Sequence, residues 1–237
     1  MNKTNNPIIV ALDVPSLEQA VKLAEELAPA VGAFKIGSEL FTSAGPEIVR
    51  RIRGTGAAVF LDLKFHDIPN TVAKSVASAV RLDVQMLTIH ASGGTEMIRA
   101  AETSAQETAK ALSQEAPLVL GVTVLTSMDS RQMNELGLGE DVAKQVQKLA
   151  ILAQNGGLRG LVCSPLELPI LRQILPASMR LVTPGIRAQS DAAGDQKRTL
   201  SASEAIKAGA DWLVIGRPIL AAKNPRAAAE AILASLA

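Results

Sequence analysis

The run Asp62-Leu63-Lys64-Phe65-His66-Asp67-Ile68-Pro69-Asn70-Thr71 gathers the side chains of this chain best suited to chemistry. It follows the apolar stretch Ala57-Ala58-Val59-Phe60-Leu61, which reads as the start of a buried strand. Side chains alternate faces along a strand, so Asp62 and Lys64 point the same way. A carboxylate and an ammonium are thus aimed at one place. Each costs about several kcal/mol to desolvate unless paired or useful. A fold has no need of them there, so they mark a site. A carboxylate facing a bound anion, with an ammonium beside it, suits a reaction that loses CO2 and then needs a proton. The carboxylate raises the energy of the anionic ground state, and the ammonium stabilises the developing carbanion and protonates it. Lys35, on a neighbouring strand, extends the cluster with alternating sign, so each charge stabilises the next. Asp67 has two readings side by side. It fits a helix N-cap before Ile68-Pro69 as well as a catalytic role.

The elements that position these groups follow a simple alternation. Short apolar runs occur at Ile8–Leu12, Ala33–Ile36, Ala57–Leu63, Val84–Ile89, Leu118–Leu125, Gly160–Cys163, Arg180–Val182 and Trp212–Ile215. Helical patterns separate them at Ser16–Ala28, Pro46–Arg53, Thr71–Arg81, Thr95–Ser113, Asp141–Gln154, Leu166–Leu175, Ser201–Ala208 and Pro225–Leu236. Ser16, with Gln19 three residues on, is a capping start. Strands apolar on both faces and separated by helices imply a parallel sheet. Eight such units in 237 residues, about 30 residues each, fit a closed, single-domain (β/α)8 TIM barrel (α/β class) better than an open doubly wound sheet. No Pro/Gly/Ser-rich linker divides the chain, so residues 1–237 read as one domain. In such barrels the C-terminal strand ends form one face, where chemistry is assembled from several strands. Asp13, Lys35, Asp62, Lys64, His90, Thr126 and Gly216-Arg217 all fall at such ends.

The last two units suggest an anion site. Gly216 lets backbone approach a ligand closely, and Pro218 suits a first helical turn. Arg217 beside them supplies a guanidinium, at the position where barrels of this class often bind phosphate. The seventh strand leads into Thr183-Pro184-Gly185-Ile186-Arg187 and then a loop, Ala188 to Leu200, long enough to act as a lid. Arg187 and Gln196 within this region are positioned to fold onto a phosphate.

Composition narrows the function classes. Hydrophobic residues are 48% and charged residues 20%, which excludes a disordered chain. A net charge of +1 gives no general pull toward nucleic acid or membrane. Aromatics at 2%, with no tyrosine, make base-stacking platforms a poor reading. The lone Cys163 excludes an internal disulfide; it reads as a buried strand thiol rather than a nucleophile, in a reducing compartment. Met1–Asn6 is polar and shows no signal segment, and no apolar run reaches the ~18 residues of a membrane span, so a cytoplasmic location is expected. The chain has only two histidines, His66 and His90, and the Lys35 ammonium would repel Mg2+, so no metal is expected. Neither GxGxxG after the first strand nor GxxxxGK[ST] is present, so no organic cofactor is expected.

Taken together, these residues resemble orotidine 5′-monophosphate decarboxylases of the bacterial form. Asp62 to Thr71 is similar to that family's DxKxxDI(P)NT signature. Around it stand Ala11-Leu12-Asp13, Phe34-Lys35-Ile36-Gly37, Val124-Leu125-Thr126-Ser127, Thr183-Pro184-Gly185-Ile186-Arg187 and Ile215-Gly216-Arg217-Pro218, in order from residue 8 to about 220. The resemblance implies cofactor-independent decarboxylation of orotidine 5′-monophosphate to uridine 5′-monophosphate, the last step of de novo UMP synthesis. It implies that Lys64 protonates C6 and that Asp62 faces the departing carboxylate. Lys35 and Asp67 would complete a Lys-Asp-Lys-Asp array, Asp67 being supplied by the partner subunit of a homodimer. Asp13 and Lys35 would hold the ribose, Thr126 and Ser127 would contact the pyrimidine, and Thr71 would add a substrate contact. Arg187, Gln196, Gly216 and Arg217 would bind the phosphate. Ketogulonate-phosphate decarboxylases and hexulose-phosphate synthases look similar around DxKxxD, but they use Mg2+ and carry a carboxylate at the Lys35 position. A phosphate-sensing barrel without chemistry is the rival of a different class. It has no need of the Lys35, Asp62, Lys64 set.

Overall fold

A computed structural model of the chain describes residues 6–139, 141–187 and 199–236. Eight parallel strands close into a barrel in sequence order: β1 Ile8–Ala11, β2 Ala33–Gly37, β3 Ala58–Phe65, β4 Met86–His90, β5 Leu118–Val122, β6 Gly160–Val162, β7 Arg180–Thr183 and β8 Trp212–Ile215. Val10 of β1 is paired with Phe34 of β2 on one side and with Ile215 of β8 on the other, so the sheet has no free edge. That closure decides against the open doubly wound sheet.

The helices described are α1 Leu17–Leu27, α2 Ser38–Ala44, α3 Glu47–Gly54, α4 Pro69–Val80, α5 Gly94–Ala111, α6 Ser130–Glu135, α7 Val142–Asn155, α8 Leu168–Ile174, α9 Ala202–Lys207, α10 Arg217–Leu220 and α11 Pro225–Ala234. Ser16 caps α1 by accepting the Gln19 N–H at 3.2 Å, as its spacing predicts. Asp141 does the same for α7, accepting from Lys144 N at 2.9 Å. Among the described helices, α2 and α6 have no counterpart in the sequence pattern, and α10 has only the first helical turn read from Pro218. The helices α2, α6 and α10 are seven, six and four residues long, too short for a 3.6-residue period to show.

Alternation along each strand divides the apolar residues into two layers. Outward residues such as Val10, Phe34, Leu61, Leu87 and Leu213 pack against the helix shell. Inward residues Ile9, Ala33, Phe60, Met86, Leu120 and Val214 fill the barrel. Two residues further along β2, β3 and β4 the inward layer turns polar, at Lys35, Asp62 and Thr88. A packed hydrocarbon floor therefore supports a polar layer at the C-terminal mouth.

Candidate active site

A cavity of about 690 Å3 opens at that mouth. Asp13, Lys35, Asp62, Lys64, Thr126, Ser127, Arg187, Gly216 and Arg217 line it. Residues separated by some 200 positions in sequence are thus brought to one place. A larger hollow of about 910 Å3 lies at the opposite, N-terminal mouth. Its arginines are engaged in ion pairs: Arg53 with Asp83, Arg159 with Glu102 and Arg180 with Asp211. Such pairs tie the N-terminal end of the barrel to its surroundings, and polarity at this end of a barrel serves stability. The chemistry belongs to the smaller cavity.

The charged groups form a row of alternating sign. Lys35 Nζ lies 3.1 Å from Asp13 Oδ1 and 3.9 Å from Asp62 Oδ2. Lys64 Nζ donates to both Asp62 oxygens at 2.9 Å. The two central members are largely withdrawn from water, with side-chain exposures of 13% for Lys35 and 14% for Asp62. Asp13 is the open end of the row at 60%. Low exposure strengthens each attraction and makes removal of one partner expensive. Gly37 belongs to this arrangement: a Cβ there would lie 2.9 Å from Lys35 Nζ. A side chain at residue 37 would push the ammonium out of the row.

The strand carrying Asp62 and Lys64 is not regular. Leu61 pairs with Leu87 and Phe65 with Ile89, so three residues of β3 oppose the single residue Thr88 of β4. Lys64 sits in this bulge with φ +51°, a left-handed conformation that costs a bulky side chain roughly 1–2 kcal/mol. The pair shares a face, as alternation predicts, yet it does so through a bulge that re-aims Lys64. Buried Thr88 spans the gap. Its Oγ1 accepts the Lys64 N–H at 2.9 Å and donates to Asp62 Oδ1 at 2.9 Å.

Several expectations need correction. Asp13 and Thr126 do not end strands; β1 stops at Ala11 and β5 at Val122, and both residues stand on the following loops. Asp67 is not an N-cap. A residue before proline is held extended, so Ile68, with ψ 151°, becomes the cap of α4, and it has no side-chain hydrogen bond. Asp67 is one residue too early and accepts only the N–H of Ile68, at 2.7 Å. Asp67 and Thr71 are both exposed and neither lines the cavity of its own chain. Gln196 lies outside the described residues. Thr88 and Gly37 were missed as site residues. The signal for Thr88 was present: a lone threonine two residues after Met86, on the inward face of an apolar strand.

His90, at the end of β4, stands with its ring centroid 5.3 Å from that of exposed His66. Burial first, then the His66 and Lys64 charges, push its imidazole below the ordinary value of 6.5, against an opposing pull from Asp62. A depressed value means the folded state favours the neutral ring. Its contribution to stability is present above about pH 6.5 and is lost as pH falls through the lower folded value. Urea unfolding at pH 7.5 and pH 5.5 is therefore expected to show a larger loss of stability for the wild type than for His90→Gln. Equal losses would refute a neutral, half-buried His90.

Comparison with known proteins places this arrangement. The profile of the family described as "Orotidine 5'-phosphate decarboxylase / HUMPS family" matches residues 6–232. The protein named orotidine 5′-phosphate decarboxylase in Opitutus terrae is 50% identical over 231 residues, 97% of each chain. Its namesake in Pseudomonas aeruginosa is 48% identical over 236 residues, the full length of both. The crystal structure of orotidine 5′-phosphate decarboxylase from Lactobacillus acidophilus superposes with a TM-score of 0.86 at 36% identity, covering 98% of this chain and 99% of that one.

Proposed function

The chain belongs to the Orotidine 5'-phosphate decarboxylase / HUMPS family, and from that premise we propose that it converts orotidine 5′-monophosphate to uridine 5′-monophosphate and CO2, in pyrimidine biosynthesis. The observation that carries this reading is the row Asp13–Lys35–Asp62–Lys64 at the barrel mouth. The bond from C6 to the carboxylate breaks, CO2 leaves, and its electron pair remains on C6. Lys64 donates a proton from Nζ to C6, and solvent restores that proton after product release. Asp62 faces the departing carboxylate, so its charge opposes the ground state and is relieved as CO2 forms. Lys35 holds Asp62 in place and, with Asp13, meets the ribose hydroxyls. Thr126 and Ser127 contact the pyrimidine.

The phosphate falls to Arg187, Gln196, the Gly216 backbone and Arg217. Their binding energy acts at a distance on the reacting carbon, since contacts to a remote group can be used to hold the substrate in its reactive pose. Arg217→Ala is expected to weaken uridine 5′-monophosphate about 10- to 100-fold, the equivalent of one charge-assisted contact. Uridine without phosphate should lose little. Calorimetric titration of both ligands checks this, and equal losses would remove Arg217 from the phosphate site.

Asp67 and Thr71 serve the neighbouring site of a homodimer in this reading. Their exposure beside Ile68, itself 66% exposed, supports it. Residues 1–237 act as one decarboxylase domain. A single buried cysteine suits a reducing compartment, and no described helix is long and apolar enough to cross a membrane. We assign the enzyme to the cytoplasm on that basis.

The Mg2+-using alternative is disfavoured by the ammonium of Lys35, 3.9 Å from Asp62, where a cation would have to bind. The assay is direct: loss of orotidylate absorbance with EDTA present and no metal added. Turnover that required Mg2+, or no turnover of orotidylate, would overturn the proposal.

A further inference from the structure

We propose that Thr88 is a positioning residue for the decarboxylation, acting through Lys64 and Asp62 rather than on the substrate. The inference rests on the function proposed above and names a part of the site that the charged residues alone do not supply.

The argument begins with the bulge. In a regular parallel ladder a strand N–H meets a carbonyl of a neighbouring strand. Three residues of β3 face one of β4 here, so Lys64 has no partner residue in the β3–β4 register. A buried N–H left unmade costs about 1–3 kcal/mol. The Thr88 hydroxyl replaces the missing carbonyl, at 2.9 Å. This assignment also orients the hydroxyl. The backbone N–H can only donate, so Oγ1 is the acceptor and its own proton is free to be given elsewhere. Among the described residues it is given to Asp62 Oδ1, at 2.9 Å. A single side chain therefore fixes the backbone that carries the ammonium and the carboxylate that faces it.

Position makes this role difficult for water to assume. Thr88 is 0% exposed and stands directly above the inward hydrocarbon layer that includes Met86 and Phe60. It is not among the residues lining the cavity, so it does not reach a bound ligand. Lys64 meanwhile holds a left-handed backbone that relaxes unless its surroundings enforce it. Loss of the Thr88 bond lets the bulge settle toward an ordinary strand and shifts Nζ from C6. A displacement of ~1 Å at a reacting group is enough to cost about 10²-fold in rate.

The test compares Thr88→Val, which keeps shape and removes the hydroxyl, with Thr88→Ser, which keeps the hydroxyl. Thr88→Val is expected to lower kcat on orotidylate about 10²-fold. Its affinity for uridine 5′-monophosphate should change less than roughly 3-fold, and Thr88→Ser should restore most of the rate. A purely structural threonine would not divide turnover from product binding in this way. Thr88→Val turnover equal to wild type, or Thr88→Ser impaired as deeply as Thr88→Val, overturns the proposal. If Thr88→Val does not fold, Thr88→Cys, of similar shape with only a weak S–H donor, carries the same expectation and the same refutation. A substrate-free measurement separates this inference from the function itself. Hydrogen exchange at the Lys64 amide should accelerate about 10-fold or more in Thr88→Val; unchanged exchange overturns the positioning role whatever reaction the wild type catalyses. Failure of the wild type on orotidylate would instead overturn the function.

Discussion

Lys64→Ala is expected to abolish turnover of orotidylate, by at least ~10⁴-fold, while leaving uridine 5′-monophosphate bound within about 10-fold of wild type. Two effects combine. Proton donation at C6 is worth roughly 10²–10⁴ in rate. Electrostatic stabilisation of a developing carbanion by a fixed charge adds about 10²–10³. In the proposed site, product binding draws mainly on Arg217, Arg187 and the ribose contacts, which Lys64 does not supply. Lys64→Arg then separates charge from proton donation. The guanidinium keeps a positive charge but does not release a proton, so Lys64→Arg should stay within about 10-fold of the alanine variant. The readouts are single-turnover absorbance for chemistry and calorimetric titration for product. Recovery by Lys64→Arg to near wild-type turnover would show that only charge is needed, and the proton-donor role would fall.

The barrel was legible because its pattern repeats. Eight apolar runs separated by helical spacing leave few architectures, and the structure closes the sheet in that order. The ends of strands were less legible. The run Leu118–Leu125 reads as one strand, yet β5 stops at Val122. Val124 is buried at 6% exposure and Leu125 lines the cavity. Hydrophobicity reports burial, not membership of a hydrogen-bonded ladder, and an apolar loop over a cavity satisfies the same pattern.

The site shows the same division. Asp62 and Lys64 stood out because charges at the end of a buried strand demand partners, and the partners are present at 2.9 Å. The bulge that shapes the pair was hidden, since perfect alternation would also have placed both on one face. Only the pairing of Leu61 with Leu87 and Phe65 with Ile89 reveals it. Thr88 was overlooked for a related reason: threonine is at home in a strand, so it raises no conflict with propensity. Asp67 was misread in the opposite sense. Asp before X-Pro matches a cap in composition, but the proline moves the cap to Ile68. With that structural role removed, an exposed carboxylate beside an exposed isoleucine is left with only the Ile68 N–H to hold in its own chain.

That leads to the second large effect. Asp67→Ala is expected to lower turnover about 10²–10³-fold, the loss of one charged group from an array that acts as a unit. Lys64→Ala and Asp67→Ala homodimers should both be nearly inactive, and mixing them should restore activity. In the proposed two-fold dimer each site would take Lys64 from one subunit and Asp67 from the other. A mixed dimer then holds one site with both groups intact and one with neither. At statistical exchange about half of the dimers are mixed, so roughly a quarter of all sites become functional. Activity of the mixture should rise to about a quarter of wild type, far above the sum of the parents. Native mass spectrometry of differently tagged chains establishes that exchange has occurred. If exchange is complete and activity stays at the parental sum, the two residues act within one chain or Asp67 does not act at all. The geometry makes the first of those outcomes costly, because Asp67 would have to leave its Ile68 N–H and reach a cavity it does not line. Restored activity would instead establish that the mouth of each barrel is completed by the start of the partner's α4, and that the enzyme is obligately dimeric at its chemistry.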